Sequence, residues 1–387
     1  MSHEEPSLAP SEVVMRPPSA RFLMVSAGMG AGHDAVAAEL ARRLEGLGQE
    51  AGRVDVLGLL PDGIGAGLRA FYRTAVRRAP VVYEGIYRVF FRPGRGPRPG
   101  SAPLAALAED RLLALVERER PDVVVPVFHL AAQLTGRLRA RGALRVPSVV
   151  VVTDFAVHRQ WLHPGNDLHL CVTPEAAGTV RRALGRPSVA TGPVVAERFL
   201  APAPGAARWR RRFGAYAPGR PPVLVSVGAW GAGTRVADTA RLLSGAGYLP
   251  VVLCGRDERL RHRLSRLPEV VALGWERDLP GLLAAVRAVV DNAAGQTALE
   301  ALAAGVPVIG YRPIPGHGRD GVRRMAALGL SDHARDAWEL LRLLDVLTEP
   351  SAPRERRIAA GRRLFAADAA ARLTEAVTRT AAPGGAR

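Results

Sequence analysis

The feature that most constrains the fold is an alternation of short apolar runs and helical patterns, which occurs twice along the chain. In the first half the runs RFLMVS, GRVDVL, PDVVVPVF, SVVVV and LHLCVT alternate with segments whose apolar residues recur at helical spacing. In the second half PVLVSV, YLPVVLCG, EVVAL, AVVDNA and VPVIGY do the same. Strands that alternate with helices form parallel sheets covered on both faces. The sequence therefore predicts an α/β protein with two Rossmann-like, doubly wound domains.

A segment rich in Pro, Gly, Ala and Arg, APAPGAARWRRRFGAYAPGRPP, separates the two halves. We place an interdomain linker there, at 201–221, between an N-terminal domain at 19–200 and a C-terminal domain at 222–350. Residues 1–18 are predicted to form a disordered tail, and 351–387 a C-terminal helix followed by a tail. The 387 residues suit two domains of this size.

The composition favours a basic, cytoplasmic protein. All 53 basic residues are arginines and the net charge is +17, which attracts phosphates, anionic lipids and nucleic acid. Nucleic acid is the least favoured partner, because the chain has no helix-turn-helix, zinc-finger or RNA-binding signature. Cys171 and Cys254 lie in apolar runs and are predicted to be buried, reduced thiols. No run of 18 apolar residues and no signal peptide is recognisable, so we expect no membrane-spanning helix.

Glycines follow the first strand of each half. SAGMGAGH contains Gly30 and Gly32 before His33, and SVGAWGAGT contains Gly228 and Gly231. Ligands of open α/β sheets bind outside the carboxyl ends of the strands, so both turns are expected to face a central cleft. The first turn does not match a dinucleotide-binding motif, because His33 replaces the third glycine. His33 either accepts a proton from a hydroxyl near neutral pH or packs against its helix.

The stretch VVTDFAVHRQWLHPGNDLHL ends a strand and then places several polar side chains. Asp154, His158 and Trp161 are expected to line a sugar or acceptor pocket. A metal site formed by His158, His163 and His169 is conceivable, but their spacing matches no standard site. The sequence therefore predicts no metal centre.

The stretch DNAAGQTALEALAAG predicts a strand, a turn and a helix. Gly295, Gln296 and Thr297 form the turn, and the free N–H groups of the helix that begins there can hold a diphosphate. Glu300, one turn later, can accept hydrogen bonds from a ribose diol. Alternatively, Glu300 caps its own helix.

Two more residues are assigned to the same end of the cleft. His317 lies in the loop PIPGHGRDG and could reach a sugar hydroxyl. No D-x-D triplet, which could hold a divalent metal on a diphosphate, occurs in the chain. Helix N-termini and Arg256 would therefore have to neutralise a leaving diphosphate.

These motifs resemble the family that contains monogalactosyldiacylglycerol synthases, processive diacylglycerol glucosyltransferases and, more distantly, the peptidoglycan-precursor N-acetylglucosaminyl transferase. The GAGH turn is similar to the family's GGGH. TDFAVHRQW matches its T-D-x-x-x-H-x-x-W through Thr153, Asp154, His158 and Trp161, and GQT with Glu300 stands at its GPGT-x-x-E. The resemblance covers about 20–345 and implies the GT-B fold.

The resemblance implies an inverting, metal-independent transfer of a hexose or N-acetylhexosamine from a UDP-sugar to a lipid-like or other hydrophobic acceptor. No cofactor is implied, since the UDP-sugar is a co-substrate. His33 is the implied base, assisted by Asp154, and Glu300 the implied ribose ligand. The N-terminal domain would bind the acceptor through Gly30, Gly32, His129, His158 and Trp161. The C-terminal domain would bind the donor through Gly228, Gly231, Arg256, Trp275, Gly295, Gln296, Thr297, Glu300 and His317.

The chain departs from the family pattern at three places that bear on the choice of sugar. Trp230 is inserted in the glycine turn of the second half, and Asn292 replaces a lysine before the phosphate turn. His317 and Gly318 replace the common Gln-Glu pair.

The family also implies peripheral contact with the inner face of the cell membrane. Helix 64–91 and the loop FRPGRGPRPG would form that contact, with arginines meeting anionic lipid. A solvated basic loop is the alternative. Two other functions stay open: a UDP-sugar 2-epimerase of the same fold, and a non-catalytic homologue that binds nucleotide or lipid.

Overall fold

The N-terminal half contains six parallel strands. The computed structural model describes residues 19–92 and 100–381; the predicted tail 1–18 and most of the Pro/Gly/Arg loop lie outside these ranges. The strands are β1 (Arg21–Ser26), β2 (Glu50–Asp55), β3 (Val123–Pro126), β4 (Val149–Val152), β5 (Leu168–Cys171) and β6 (Ser188–Ala190). Their order is β2-β1-β3 and β4-β5-β6, and a parallel bridge from Val124 to Ser148 joins the two groups.

The described part of this half contains seven α-helices. They are α1 (Gly32–Gly46), α2 (Ile64–Arg78), α3 (Pro80–Phe90), α4 (Ala102–Ala106), α5 (Glu109–Glu119), α6 (His129–Ala140) and α7 (Pro174–Leu184). Local sequence explains their limits: the Thr173 hydroxyl caps α7 by accepting from the Ala176 N–H, and Gly185 ends it in the left-handed conformation. The four valines of β4 are all buried, as expected for a strand covered on both faces.

The C-terminal half repeats the design. Its strands are β7 (Pro222–Ser226), β8 (Leu249–Leu253), β9 (Val271–Leu273), β10 (Ala288–Asp291), β11 (Val308–Tyr311) and β12 (Asp332–Ala334), in the order β12-β11-β10-β7-β8-β9. The helices are α8 (Ala206–Tyr216), α9 (Val236–Gly245), α10 (Glu258–Leu264), α11 (Leu279–Leu283), α12 (Gln296–Ala303), α13 (His317–Ala327), α14 (Ala337–Leu347), α15 (Ala352–Arg363) and α16 (Ala369–Ala381). All sheet pairs in both halves are parallel, which confirms the predicted fold class.

The segment 201–221, predicted as a linker, contains helix α8. Trp209 and Phe213 of this helix are 3% exposed and pack in the same core as α11 and β9. Four arginines interrupt the apolar pattern of α8, so its helical period is weak in the sequence. The domain boundaries themselves stay a prediction.

The chain crosses between the halves twice, first after β6 and again after α15. After α15 it returns to the N-terminal half, where Ala369, Ala370 and Leu373 of α16 are buried against α1 and β1. The two crossings touch: a Cβ atom at Gly192, whose φ is +74°, would overlap the carbonyl oxygen of Leu364. Arg43 of α1 donates to Val195 on one crossing and to Asp368 on the other. Both crossings are therefore anchored to α1.

Candidate active site

A cavity of about 1010 Å³ lies between the two halves, at the carboxyl ends of both sheets. This is where open α/β sheets bind ligands. Thirteen of the predicted site residues line it: Gly30, Gly32, His33, His129, Asp154, His158, Gly228, Trp275, Gly295, Gln296, Thr297, Glu300 and His317.

The turn before α1 and the turn before α12 meet across this cavity. A Cβ atom at Gly32 would lie 3.6 Å from the Cβ of Gln296. The Gln296 amide also donates to the carbonyl of Val194, 3.2 Å away, on the first crossing. The structure therefore brings the two predicted turns into one crevice.

His33 stands at the start of α1, where the strand-turn-helix connection fixes its position. The Ser26 hydroxyl at the end of β1 donates to Asp34, 2.8 Å away, and holds the turn. His33 Nδ1 lies 3.0 Å from the carbonyl oxygen of Val127, which can only accept. The neutral ring therefore carries its proton on Nδ1 and its free lone pair on Nε2. Burial lowers the pKa of His33 below 6.5, against the opposing charge of Asp154.

Asp154 follows β4 and is the centre of a polar cluster. It accepts a hydrogen bond of 2.8 Å from Trp161 Nε1, and His158 Nε2 lies 3.3 Å away. Burial alone would raise the pKa of Asp154, but the hydrogen bond and the electrostatic interaction with His158 hold it below its usual value. Asp154 therefore stays ionised and acts on His33 through its charge.

Trp161 does not line the cavity, which corrects its predicted contact with an acceptor. Its side chain is fully buried, in the short 3₁₀ turn that follows His158. The spacing of the motif is correct, but the indole points behind Asp154 and donates to it. Trp161 therefore orients the carboxylate instead of touching a ligand.

Arg256 and Gly231 are likewise absent from the cavity wall. The Arg256 guanidinium lies 4.8 Å from the ring centre of Trp275 and 5.6 Å from that of Trp230. Cation–π contact with two indoles explains this position. Gly231 has a φ of +66° and lies in a turn that packs against Asp257. A glycine is therefore favoured there by the backbone conformation.

Two arginines that no sequence motif indicated also line the cavity. Arg198 follows the first crossing and Arg277 follows Trp275. Arg198 is close enough to Glu300 to lower its pKa. These two guanidinium groups bring positive charge to the cavity wall, where Arg256 was predicted to lie.

The turn before α12 is held by Asp291 at the end of β10. Its carboxylate accepts from the N–H groups of Ala293, at 2.9 Å, and Ala294, at 2.6 Å. Gly295 is the N-cap, so the first N–H groups of α12 have no partner within the helix. Asn292, which replaces a family lysine, donates to the carbonyl of Ala232 and ties this turn to the glycine turn after β7. An anion at this end of the cavity would meet free N–H groups and a helix N-terminus.

Glu300 lies one turn into α12 and faces the cavity. Burial raises the pKa of Glu300 to about 8, although the charge of Arg198 and a hydrogen bond from Gln296 oppose this. A carboxyl group in this state is mostly protonated at neutral pH. Hydrogen-bond donors from a ligand would favour its ionised form.

The N-terminal half adds an apolar compartment to the cavity. Aromatic residues make up only 5% of the chain, yet they are concentrated here. The compartment is lined by Leu68, Phe71, Tyr72, Ala75, Tyr83, Ile86, Tyr87, Phe90, Phe91, Leu104 and Phe128. Such a wall suits an apolar ligand group.

Within the described ranges, no group of three or more His, Cys, Asp or Glu side chains could hold a metal ion. The prediction that no metal and no cofactor takes part stays a prediction. None of the helices described is both long and apolar enough to cross a membrane. Cys171 and Cys254 are buried free thiols, as predicted.

Comparison with known sequences supports the family resemblance. The model of the monogalactosyldiacylglycerol (MGDG) synthase family matches residues 33–189. The processive diacylglycerol beta-glucosyltransferase of Bacillus pumilus is 26% identical over 222 residues, which are 55% of this chain and 57% of that protein. The enzyme of the same name from Bacillus subtilis is 26% identical over 239 residues, which are 59% and 62% of the two chains. The match thus spans less than two thirds of the length of these relatives.

Comparison with solved structures covers nearly the whole chain. MurG of Acinetobacter baumannii has a TM-score of 0.55 at 14% identity and covers 94% of this chain and 100% of its own. The kitacinnamycin glycosyltransferase has a TM-score of 0.63 at 17% identity, covering 94% and 99%. HepE of Anabaena, in complex with UDP-glucose, has a TM-score of 0.52 at 13% identity, covering 93% and 98%. The chain therefore has the GT-B fold of these glycosyltransferases, and its predicted resemblance to the MGDG synthase family is confirmed.

Proposed function

We propose that the protein is an inverting, metal-independent glycosyltransferase that moves a hexose or N-acetylhexosamine from a UDP-sugar to a lipid-like acceptor. The observation that carries the proposal is one shared cavity: His33, whose Nδ1 is bound to the Val127 carbonyl and whose Nε2 lone pair is free, lines the same space as the N-terminal turn of α12. A base and an anion site on opposite walls are what a transfer from a nucleoside diphosphate requires.

The reaction follows from these positions. The acceptor hydroxyl gives its proton to His33 Nε2 while its oxygen forms a bond to the anomeric carbon of the sugar. The bond from that carbon to the β-phosphate oxygen breaks on the opposite side, so the configuration inverts. The electron pair leaves with UDP, whose charge meets the N–H groups of α12 and the guanidinium groups of Arg198 and Arg277. Asp154 stabilises the imidazolium that forms.

The lipid-like acceptor is supported by the apolar compartment and by the names of the relatives, which are diacylglycerol glucosyltransferases. Helices α2 and α3 also expose apolar side chains to solvent: Phe71, which also lines the compartment, is 53% exposed and Val81 is 83% exposed. Arg73 and Arg78 are exposed on α2. This combination fits peripheral contact with an anionic membrane surface. Most of the basic loop that was predicted to join this contact lies outside the described residues.

The test is a transfer assay with UDP-glucose, UDP-galactose and UDP-N-acetylglucosamine. Diacylglycerol is offered in anionic and in zwitterionic vesicles, and products are identified by mass spectrometry. We expect one UDP-sugar to give a glycolipid, with faster transfer in anionic vesicles. Conversion of UDP-N-acetylglucosamine without any acceptor would indicate the epimerase instead. Thermal stabilisation by UDP without transfer to any acceptor would indicate a non-catalytic protein.

A further inference from the structure

Helix α3 belongs to the N-terminal half, but it contacts the loop of the C-terminal half that carries His317. The Tyr83 hydroxyl lies 2.6 Å from His317 Nδ1. Next to it, the Glu84 carboxylate accepts from the Gly316 N–H at 2.9 Å and from Arg319 at 2.8 and 3.0 Å. Residues 316 to 319 are therefore bound by two consecutive side chains of the opposite half.

The backbone of this loop packs closely against helix α3 at Gly316. Gly316 has a φ of +74°, which favours glycine. A Cβ atom there would lie 2.9 Å from the ring of Tyr87 and 3.0 Å from that of Tyr83. The loop thus passes directly over two aromatic rings of α3, and a larger residue would push it away.

The contact between Tyr83 and His317 also selects one form of the imidazole. At 2.6 Å, the distance fits an O–H donor better than an N–H donor, whose usual distance is about 2.9 Å. The Tyr83 hydroxyl has a second hydrogen-bond partner, the hydroxyl of Tyr72. Because a neutral imidazole nitrogen is a far stronger base than a phenol oxygen, Tyr83 donates its hydrogen bond to His317, and Tyr72 donates to the Tyr83 oxygen. Burial raises the pKa of Tyr83 well above its usual value and lowers that of His317, so both groups stay neutral. With Nδ1 accepting, His317 carries its proton on Nε2.

We infer that Tyr83 is a positioning residue of the donor site, supplied by the opposite half of the molecule. It holds His317 with its N–H on Nε2, in the cavity, where it donates a hydrogen bond to an oxygen of the donor sugar. His33, whose proton is on Nδ1, has the opposite form and serves as a base. The inference rests on the proposed function only in naming the ligand as a sugar; the arrangement of the two side chains does not depend on it.

The first test is spectroscopic and needs no activity. The chain has nine histidines, so selective ¹⁵N labelling of histidine gives a tractable spectrum of the full chain. His317→Gln identifies the His317 signals by their loss. We expect the wild type to carry the proton on Nε2 and Tyr83→Phe to show a mixture of the two neutral forms. A wild-type signal with the proton on Nδ1 would overturn the inference, whether or not the protein transfers sugar.

The second test is kinetic and uses the UDP-sugar selected by the transfer assay. Tyr83→Phe should raise its KM about three- to tenfold, the effect of one hydrogen bond, while the affinity for UDP measured by calorimetry is unchanged. His317→Gln keeps a fixed N–H donor, so adding Tyr83→Phe to it should have no further effect. Additive effects of the two substitutions would refute the role of Tyr83 in positioning His317.

Tyr248→Phe is the matched control. Its side chain packs in the core of the C-terminal half, and its hydroxyl donates to Asp345, also at 2.6 Å. The Tyr248→Phe variant loses a similar hydrogen bond, so it should have a lower melting temperature and an unchanged KM. A wild type that transfers no sugar would refute the proposed function, whereas a transferring wild type with an unchanged KM in Tyr83→Phe would refute this inference alone.

Discussion

Replacing Glu300 by glutamine should abolish a proton release that accompanies donor binding. Burial raises the pKa of this carboxyl group to about 8. At pH 7 about nine-tenths of the molecules therefore hold a protonated Glu300. If Glu300 binds the ribose diol, two hydroxyl groups donate to it, and this favours the ionised form. Binding at pH 7 should then release about 0.9 protons.

The same pKa fixes how donor affinity depends on pH. Below the pKa of about 8, binding must first ionise Glu300, so the affinity should rise up to about tenfold per pH unit and level off above it. Glu300→Gln should bind more weakly at high pH, because its amide accepts less strongly than a carboxylate. Its affinity should also be flat over the pH range in which the wild type changes.

The free energy of unfolding should depend on pH in the opposite direction to the donor affinity. The folded-state pKa lies above the unfolded value of 4.5, so between these two values the folded state holds more protons than the unfolded state. The free energy of unfolding therefore falls as the pH rises through this window, by at most about 1.4 kcal/mol per pH unit. Glu300→Gln should remove this slope and stabilise the unliganded protein at pH 8 relative to the wild type.

Calorimetry in buffers of different ionisation enthalpy measures the proton release directly. A UDP-sugar serves as ligand, because UDP has a terminal phosphate that titrates near neutral pH. Glu109→Gln is the control: that carboxylate is paired with Arg137 and Arg141, its pKa is lowered despite burial, and it lies outside the cavity. Equal proton release by the wild type and Glu300→Gln would refute the assignment of Glu300 to the ribose.

Three further substitutions test other parts of the site. His33→Ala should abolish transfer while the UDP affinity measured by calorimetry is unchanged, and full turnover by the variant would contradict the base role. Because burial lowers the pKa of His33, the wild-type rate at saturating UDP-sugar should fall only below the usual pKa range of a histidine. Trp161→Phe removes the indole N–H that donates to Asp154. It should lower the free energy of unfolding by about 1–3 kcal/mol in urea titrations, and an unchanged midpoint would contradict this. Gly192→Ala places a Cβ atom at a positive φ and against the Leu364 carbonyl. It should lower the free energy of unfolding by at least about 1–3 kcal/mol in the same assay, and a wild-type value would argue against the close contact of the two crossings.

The parts of the site that the sequence predicted are those fixed by strand-turn-helix connections. His33 and Glu300 each lie a few residues beyond the end of a buried strand, and parallel strands end at the same edge of a sheet. Both side chains therefore had to lie near the cleft once the two halves faced each other. The TDFAVHRQW motif likewise gave the positions of Asp154 and His158 along the chain.

What the sequence could not predict is the direction of side chains and the contacts between distant segments. The motif that contains Trp161 does not indicate whether the indole faces the cavity or the core. Arg256 lies just beyond a strand like other site residues, but two tryptophans bind its guanidinium. Tyr83 and His317 are 234 residues apart, and no local pattern connects them. The only available signal was the concentration of aromatic residues in the helical region 64–91.

Helix α3 contacts both substrate sites of the proposed reaction. Its inward side chains, such as Ile86 and Tyr87, line the apolar compartment, while Tyr83 and Glu84 hold the loop of the donor site. Val81 at its start is exposed and faces the surroundings. Because these contacts join α3 to residues 316–319, a displacement of the helix by an acceptor would be transmitted to His317. If acceptor binding does displace the helix and changes the donor affinity, linkage requires donor binding to change the acceptor affinity by the same factor.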